Sequence, residues 1–549
     1  MMQQEITAMS AGPMNAERLL SAYEKIADAP DAIARLRRFV LDLAVRGKLV
    51  PQEADDEPAE ELLKRIAKEK ARLVKAGEIR KPRDLDGGDD LNEPFPVPPT
   101  WRWVRLDAVG AIVGGGTPPA ADPGNFTEPG EGIPWLTPAD LGGYSDLYIS
   151  RGSRDLTEKG SRASSATVMP KGTVLFTSRA PIGYVAIAAN PISTNQGFKS
   201  IVPYILDCSH FIATAMKAFA PEIDAKAPGT TFKEVSGKIV AGISFPLPPL
   251  AEQHRIVAKV DELMVLCDRL EAARAGREAV RDKLTAASLA RLNAPDPESL
   301  QADARFALDA LPALTTRPDQ IKALRQTILN LAVRGKLGGS TEGDLKPVGA
   351  YRSLQNGYAF KSGWFTKQGI RLLRNANIGH GKIRWDDTVF LPAERKNEFE
   401  RFLLNEGDIV LTLDRPFIVT GTKVARITAA DLPSLLLQRI GRFVETASGL
   451  SDDYLFMWVN SPHFNEQIDP GRSNGVPHIS SKQVETAEIF VPPLAEQRRI
   501  VAKVDELMAL CDRLEASLAT ANETRRRLLE ALLAEALASG EARELEAAE

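Results

Sequence analysis

The chain has 549 residues, too many for one hydrophobic core, so three or four structural units are expected. Hydrophobic content of 44% with 26% charged residues is ordinary for a globular protein, and no apolar run is long enough to span a membrane. Three isolated cysteines, Cys208, Cys267 and Cys511, exclude a disulfide framework and a CxxC zinc site, and a net charge of −4 excludes an indiscriminate polyanion binder. The N-terminus MMQQEITAMSAGPMNAERLL lacks a basic-then-apolar signal pattern, so a cytoplasmic location is expected.

In chain order, residues 30–49 (PDAIARLRRFVLDLAVRGKL) predict a short helix ending in LAVRGKL. An extra helix follows over 58–77, where Lys64, Lys68, Lys70 and Lys75 alternate with Glu61 and Glu69 as on a solvated face. A polar linker then leads into residues 101–245, which alternate short apolar runs with turn signals (WRWVRL, GAIVGGGTPP, GTVLFTSRAPIG) and predict a compact strand-rich domain. Its Gly114-Gly115-Gly116 run lacks GxGxxG spacing and reads as a loop. Trp101, Trp103 and Trp135 read as core residues.

Pro248-Pro249 opens a long helix. Residues 250–272 (LAEQHRIVAKVDELMVLCDRLEA) recur at 494–516, after Pro492-Pro493, with only His254/Arg498 and Val265/Ala509 differing. Ile256, Val260, Leu263, Cys267 and Leu270 recur at spacings of four and three, a heptad seam that Ile500, Val504, Leu507, Cys511 and Leu514 repeat. Each helix is expected to run for about 44 residues, roughly 65 Å, the first stopping before Pro295 and Pro297 and the second near residue 538. A second copy of the LAVRGKL helix, PDQIKALRQTILNLAVRGKL at 318–337, precedes another strand-rich stretch over 347–491. Two halves built to one plan predict a duplicated unit with pseudo-twofold symmetry.

The expected architecture is α+β. Two strand-rich domains are joined by two long helices in an antiparallel coiled coil. The expected boundaries are a helical region and linker (1–95), a first domain (96–247), a central helical region (248–345), a second domain (346–491) and a terminal helix (492–549). No phosphate loop, HExxH, GxSxG or Asn-Pro-Pro-Tyr/Phe motif occurs, and the five histidines are scattered. The chain reads as a binding protein and not as an enzyme.

Two variable domains, each followed by a near-identical PPLAEQ helix, resemble the specificity subunits of type I restriction-modification systems. The resemblance is carried by the two LAVRGKL segments, PFPVPPTWRWVRL at 94–106 ahead of GGGTP, IPWLTPADL at 133–141, SRAPIG, TNQGF and the two PPLAEQxRIVAKVDELM segments. It spans about residues 16–538. It implies a reader of double-stranded DNA in which each domain recognises one half of an asymmetric bipartite site and the helices set the gap. It further implies two methyltransferase subunits that modify adenine N6, restriction subunits as further partners, and no membrane association. S-adenosylmethionine, ATP and Mg would belong to those partners, leaving this chain without a cofactor, a metal or a catalytic residue.

Base readout in a major groove needs bidentate donors and acceptors on loops. The candidates in the first domain are Ser178, Arg179, Asn195, Gln196, Lys199, Thr231, Lys233 and Lys238. In the second they are Arg415, Gln438, Arg439, Arg442, Asn474, His478 and Lys482. The competing reading of each is a salt bridge or a satisfied backbone group. A scaffold whose domains bind protein suits the duplicated helices equally, since both domains are close to neutral. A nuclease would need a clustered acidic metal site that these loops do not supply.

Overall fold

The computed structural model describes residues 29, 31–79, 91–179, 181–229, 233–293, 298–310, 315–337, 342–418, 421–468, 471–473 and 476–546. The chain divides into two compact units, Met1–Ala275 with Glu523–Glu549, and Gly276–Asn522. Each unit contains a sheet-rich domain, so the fold is mixed α and β with an internal repeat.

In the first unit the order is α1 (Ala32–Val45), α2 (Ala59–Lys75), β1 (Arg102–Arg105), α3 (Leu106–Val109), β2 (Gly110–Gly114), β3 (Phe126–Thr127), β4 (Ile133–Leu136), β5 (Tyr148–Ile149), β6 (Arg154–Leu156), α4 (Glu158–Arg162), β7 (Val174–Phe176), β8 (Val185–Ala188), β9 (Ser193–Thr194), β10 (Lys199–Pro203), α5 (Ser209–Lys226), α6 (Gly237–Ala241), β11 (Ser244–Leu247) and the start of α7 (Leu250–Asn293). One sheet has the order β2-β10-β7-β8-β5 and another β3-β6-β4-β9, while β1 pairs with β11.

The second unit holds the end of α7, then α8 (Leu300–Asp309), α9 (Pro318–Val333), β12 (Asp344–Pro347), β13 (Arg352–Asn356), β14 (Ile370–Leu373), β15 (Val389–Leu391), β16 (Ile409–Thr412), β17 (Phe417–Ile418), β18 (Gly421–Thr422), β19 (Val424–Arg426), β20 (Ser434–Leu436), β21 (Ile440–Glu445), α10 (Asp452–Val459), α11 (Pro462–Gln467), β22 (Gly471–Ser473), β23 (Val476–His478), α12 (Ser481–Thr486), β24 (Glu488–Val491) and the part of α13 (Leu494–Glu546) that precedes Glu523, the rest of that helix belonging to the first unit. Its sheets, β13-β21-β16-β19 and β15-β14-β20 with the pair β12-β24, repeat the first unit's plan. Strands β4 and β9 pair in parallel, as do β14 and β20. Among the described residues strand β5 has no counterpart in the second unit.

Helix α7 has 44 residues, as the spacing predicts, whereas α13 runs for 53 and continues past residue 538. Their apolar stripe enters the core of the unit in which each helix begins. Ile256 and Val260 join Val40, Ala44, Trp101 and Phe211, while Ile500, Val504 and Cys511 join Ile321, Ile328, Tyr454 and Trp458. A buried aliphatic side chain of this kind contributes about 1.5–3 kcal/mol.

The repeated motifs have a physical reading. Gly47 and Gly335 take φ of +68° and +69° just past the LAVR turn, and Lys48 N and Lys336 N donate back to Leu43 O and Leu331 O at 3.0 and 2.8 Å. LAVRGKL is therefore a helix closed by a left-handed glycine cap. In PPLAEQ, Gln253 Nε2 donates to Pro248 O at 3.0 Å and Gln497 Nε2 to Pro492 O at 2.7 Å, tying each long helix to the strand before it. Buried Glu252 accepts from Trp101 Nε1 at 2.9 Å and from Gln52 Nε2, and burial raises its pKa. Arg37 clamps Asp268 and Glu271 at 2.7 and 2.6 Å, and its repeat equivalent Arg325 clamps Asp512 and Glu515 at 2.7 and 2.9 Å.

Trp101, Trp103 and Trp135 are buried. Gly114 of the glycine run ends β2, contrary to the loop expected there, and the loop proper starts at Gly115 in a close backbone approach: a Cβ on Gly115 would lie 2.0 Å from Asn195 O, and one on Gly357 of the second domain 2.2 Å from Leu437 O. Among the described residues no helix is long and apolar enough to cross a membrane.

Candidate nucleic-acid interface

In both domains three segments converge at the end of one central strand. In the first, β7 runs out through Thr177 into Ser178 and Arg179. Ser178 N donates to Gly197 O at 2.7 Å, Val235 N donates to Ser178 O at 2.8 Å, and Arg179 bridges Glu234 across the backbone. In the second, β16 runs out into Leu413 and Asp414. Leu413 N donates to Arg439 O at 2.8 Å, Ile479 N donates to Leu413 O at 2.8 Å, and Asp414 bridges His478. These hydrogen bonds superimpose one segment on the other residue by residue. Ser178 matches Leu413, Arg179 matches Asp414, Gln196 matches Gln438, Gly197 matches Arg439 and Glu234 matches His478.

On this shared backbone the side chains differ. Arg179 pairs with Glu234 at 3.0 Å, and Lys199 approaches the same carboxylate at 3.9 Å. Burial, opposed by Glu234, lowers the Lys199 pKa. Gln196 is exposed, and its Oε1 accepts from Thr117 Oγ1. In the second domain the polarity is reversed: the Asp414 carboxylate lies 2.8 Å from His478 Nδ1, with Arg439 Nη1 at 3.8 Å. Arg415 and Arg439, both exposed, have φ of +48° and +70°, left-handed conformations that side-chain-bearing residues rarely adopt. Lys423 Nζ donates to Asn375 O at 2.7 Å, and Asn375 Nδ2 donates to Asp414 O at 3.0 Å. Burial and then the Arg415 charge lower the Lys423 pKa.

The remaining candidates separate clearly. Lys238 and Lys482 are exposed on the short helices α6 and α12, each capped by a serine, Ser236 or Ser480, whose Oγ accepts from Ile239 N or Gln483 N. Ser178 is fully buried with its Oγ on Gly197 O, and Asn195 turns inward to accept from Gly197 N at 2.8 Å. These two shape the loop and do not face outward. Lys233 caps the C-terminal end of α5 by donating to Asp224 O at 2.9 Å, where a cation opposes the helix dipole.

Arg442 corrects the expectation. Its side chain, 12% exposed, is enclosed by Asp408 at 3.0 Å, Leu403 O at 2.8 Å and Gln355 Oε1 at 2.6 Å, so it is a structural ion pair within the sheet. Thr231 and Asn474 lie outside the described residues. Sequence reasoning missed Thr117, Glu234, Asn375, Asp414 and Lys423 as members of the site. The signal available for Glu234 and His478 was their identical distance, 244 residues, which is also the offset between the two PPLAEQ helices.

Chemically, the exposed set offers guanidinium forks (Arg179, Arg415, Arg439), amides (Gln196, Gln438) and one carboxylate–imidazole pair. These groups suit bidentate recognition of base edges. Among the described residues no three His, Cys, Asp or Glu side chains are grouped to hold a metal ion.

Comparison with known proteins identifies the family. The family model described as type I restriction modification DNA specificity domain matches residues 98–275 and 366–521, more than half of the chain. The type I restriction enzyme EcoAI specificity subunit of Escherichia coli is 34% identical, the match covering 91% of this chain and 93% of that protein. The EcoEI specificity subunit of the same organism is 26% identical with 92% and 94% covered. The MjaIX specificity subunit of Methanocaldococcus jannaschii is 39% identical over 29% of this chain and 37% of its own length. Matching repeats on both halves and near-complete coverage by a relative this similar place the chain in the type I restriction-modification DNA specificity family, as a specificity subunit.

Proposed function

We propose that this subunit reads an asymmetric bipartite site in double-stranded DNA, one half with the loops around Arg179 and Gln196 and the other with those around Asp414, Gln438 and Arg439. The observation that carries this reading is the pair of superimposable strand ends bearing opposite charges: one scaffold with two chemistries suits two different half-sites. Phosphate contacts from lysines such as Lys238 and Lys482 would fix the register without adding sequence information. The two long helices set the unread gap.

On this reading the chain acts in the cytoplasm, catalyses nothing itself and needs no cofactor. Two methyltransferase subunits supply adenine N6 methylation with S-adenosylmethionine, and restriction subunits supply the ATP- and Mg-dependent steps. The test is single-molecule methylome sequencing of cells carrying this chain with its partner methyltransferase. A discontinuous methylated motif that vanishes when the chain is deleted is expected. A contiguous motif, or methylation by the purified chain alone with labelled S-adenosylmethionine, would overturn the reading, and a scaffold that binds only protein would give no motif at all.

A further inference from the structure

The two units differ at one edge of the main sheet. In the first, β5 adds to the outer side of β8 as a parallel strand, with Ile187 N donating to Leu147 O at 2.7 Å and Ala189 N to Ile149 O at 2.9 Å. Tyr148 on that strand meets His210, in the first turn of α5, through its hydroxyl and edge-to-face. Asp261 on α7 lies close enough that its charge acts on Tyr148 and on Lys217 of α5.

In the second unit β19 is the matching strand, and it is the last in its sheet. Ile427 N donates to Asp408 O at 2.9 Å and Thr412 N to Lys423 O at 3.0 Å, so the inner ladder takes alternate residues and the Arg426 N–H turns outward, where Ile187 N turns in the first unit. The connection that yields β5 in the first unit folds back early here, Gly379 N bonding Lys382 O, and reaches only Val424 O through Gly381 N at 2.8 Å. What remains is a cavity of about 960 Å³ along Arg426, floored by Phe456, Met457, Val504 and Met508 and walled by Asp505, the repeat equivalent of Asp261.

We propose that this groove receives an extended segment of a separate polypeptide, which adds to the outer edge of Val424–Arg426 as β5 adds to β8, seats a large apolar or aromatic side chain on Phe456 and Met508, and offers a Lys or Arg to Asp505. Strand addition to an exposed edge is a general mode of peptide capture, its backbone bonds giving affinity and its pockets specificity. The charge requirement follows from what is spent. Arg426 is paired with Asp453 at 2.8 Å and Arg325 with Asp512 and Glu515. Asp505 is exposed and has Asn460 on the same wall in place of a lysine such as Lys217. Lys322 and Glu466 line the groove as well, so the charge requirement is local to the Asp505 wall, where a single Lys or Arg of an otherwise neutral strand complements it.

The test uses the full chain and a labelled synthetic peptide with the sequence of residues 143–151, GYSDLYISR, the segment that fills the first unit's groove. Saturable binding is expected. Arg426→Pro removes the outward N–H at an edge position that tolerates proline and should weaken binding about fivefold to tenfold, the range for one lost hydrogen bond. Arg426→Ala keeps that N–H and should bind within about twofold of the parent on the same scale. Asp505→Lys, on an exposed helical face, should weaken binding without lowering the melting temperature. Absence of saturable binding to the folded chain, or binding that neither Arg426→Pro nor Asp505→Lys weakens, overturns the proposal. So does a chain that sediments as a dimer and is split by the peptide, which would make the occupant a second copy.

Discussion

The first domain ends its central strand in Arg179 opposite Glu234, and the second ends the matching strand in Asp414 opposite His478, with the same flanking backbone hydrogen bonds in each. Where the first has Gly197, the second has Arg439 in a left-handed conformation. The sheet is held by main-chain ladders and small residues at close approaches, which leave the side chains at the strand ends free to vary. The long helices behave oppositely. There the side chains make the contacts, as in the Arg37 and Arg325 clamps, and the sequence repeats almost unchanged.

The largest expected effects come from the shared backbone. Gly115→Ala and Gly357→Ala each place a Cβ within about 2.2 Å of a carbonyl oxygen across the loop. Each should destabilise its own domain by about 3 kcal/mol or more, measured by urea unfolding. If either variant keeps wild-type stability, the close approach is not a constraint and the proposed equivalence of the two loops fails.

Next in size are the side chains on that backbone. Gln438→Ala or Arg439→Ala should cost about 1–3 kcal/mol per lost bidentate contact and relax only the half-site that the proposed function assigns to the second domain. Methylome sequencing would resolve this, and an equal loss on all sequences would point to phosphate contacts instead. Arg439→Gly separates reading from folding. It should remove the same contact while raising stability by about 0.5–1 kcal/mol, because glycine carries no penalty at φ of +70°. Loss of stability in this variant would mean that the Arg439 side chain holds the Asp414–His478 pair together.

A smaller effect is expected from the helix clamps. Arg37→Ala and Arg325→Ala remove ion pairs whose acidic partners are mostly exposed, so each should cost only about 0.5–1 kcal/mol. The two costs should be alike, because the geometry is repeated. Unequal costs, measured by thermal unfolding, would break the claim that the helical contacts are duplicated while the domains diverge.

Legibility follows the same division. The helices were readable because identical contacts demand identical residues: PPLAEQ and LAVRGKL name their own hydrogen bonds. The kinship of the two domains showed only as fragments such as KGTVLFT and EGDIVLT, since a strand ladder constrains the backbone and only the apolar alternation of its side chains. At the strand ends, exposed Arg179, Gln196, Arg415, Gln438 and Arg439 were found because donors near turns are visible in sequence. Arg442 was misjudged because nothing local announces that Asp408, Gln355 and two carbonyls converge on it from distant segments. The partners Glu234 and Asp414 were passed over because a search for DNA-binding cations ignores the acids that aim them.

The smallest effect concerns one charge that the two domains handle differently. Asp140 closes the turn after β4, accepting from Thr137 N at 2.7 Å and Ser153 N at 2.8 Å, and in the equivalent turn after β14 neutral Asn377 accepts from Arg374 N at 3.0 Å. Burial opposes ionisation of Asp140, but the bonds from Thr137 and Ser153 outweigh it and lower its pKa below 3.8. A carboxylate whose folded pKa is depressed contributes stability that is fully present above its unfolded value and is lost as pH falls through the folded one. The first domain should therefore lose this increment in acid below about pH 3.8, whereas the Asn377 turn has no such titration. Asp140→Asn retains an acceptor for Thr137 N and should cost little at neutral pH while flattening the acid limb of the stability curve, read from urea midpoints between pH 6 and pH 3. An unchanged acid limb in that variant would place the first domain's acid sensitivity in other carboxylates and leave the two turns equivalent in charge as well as in shape.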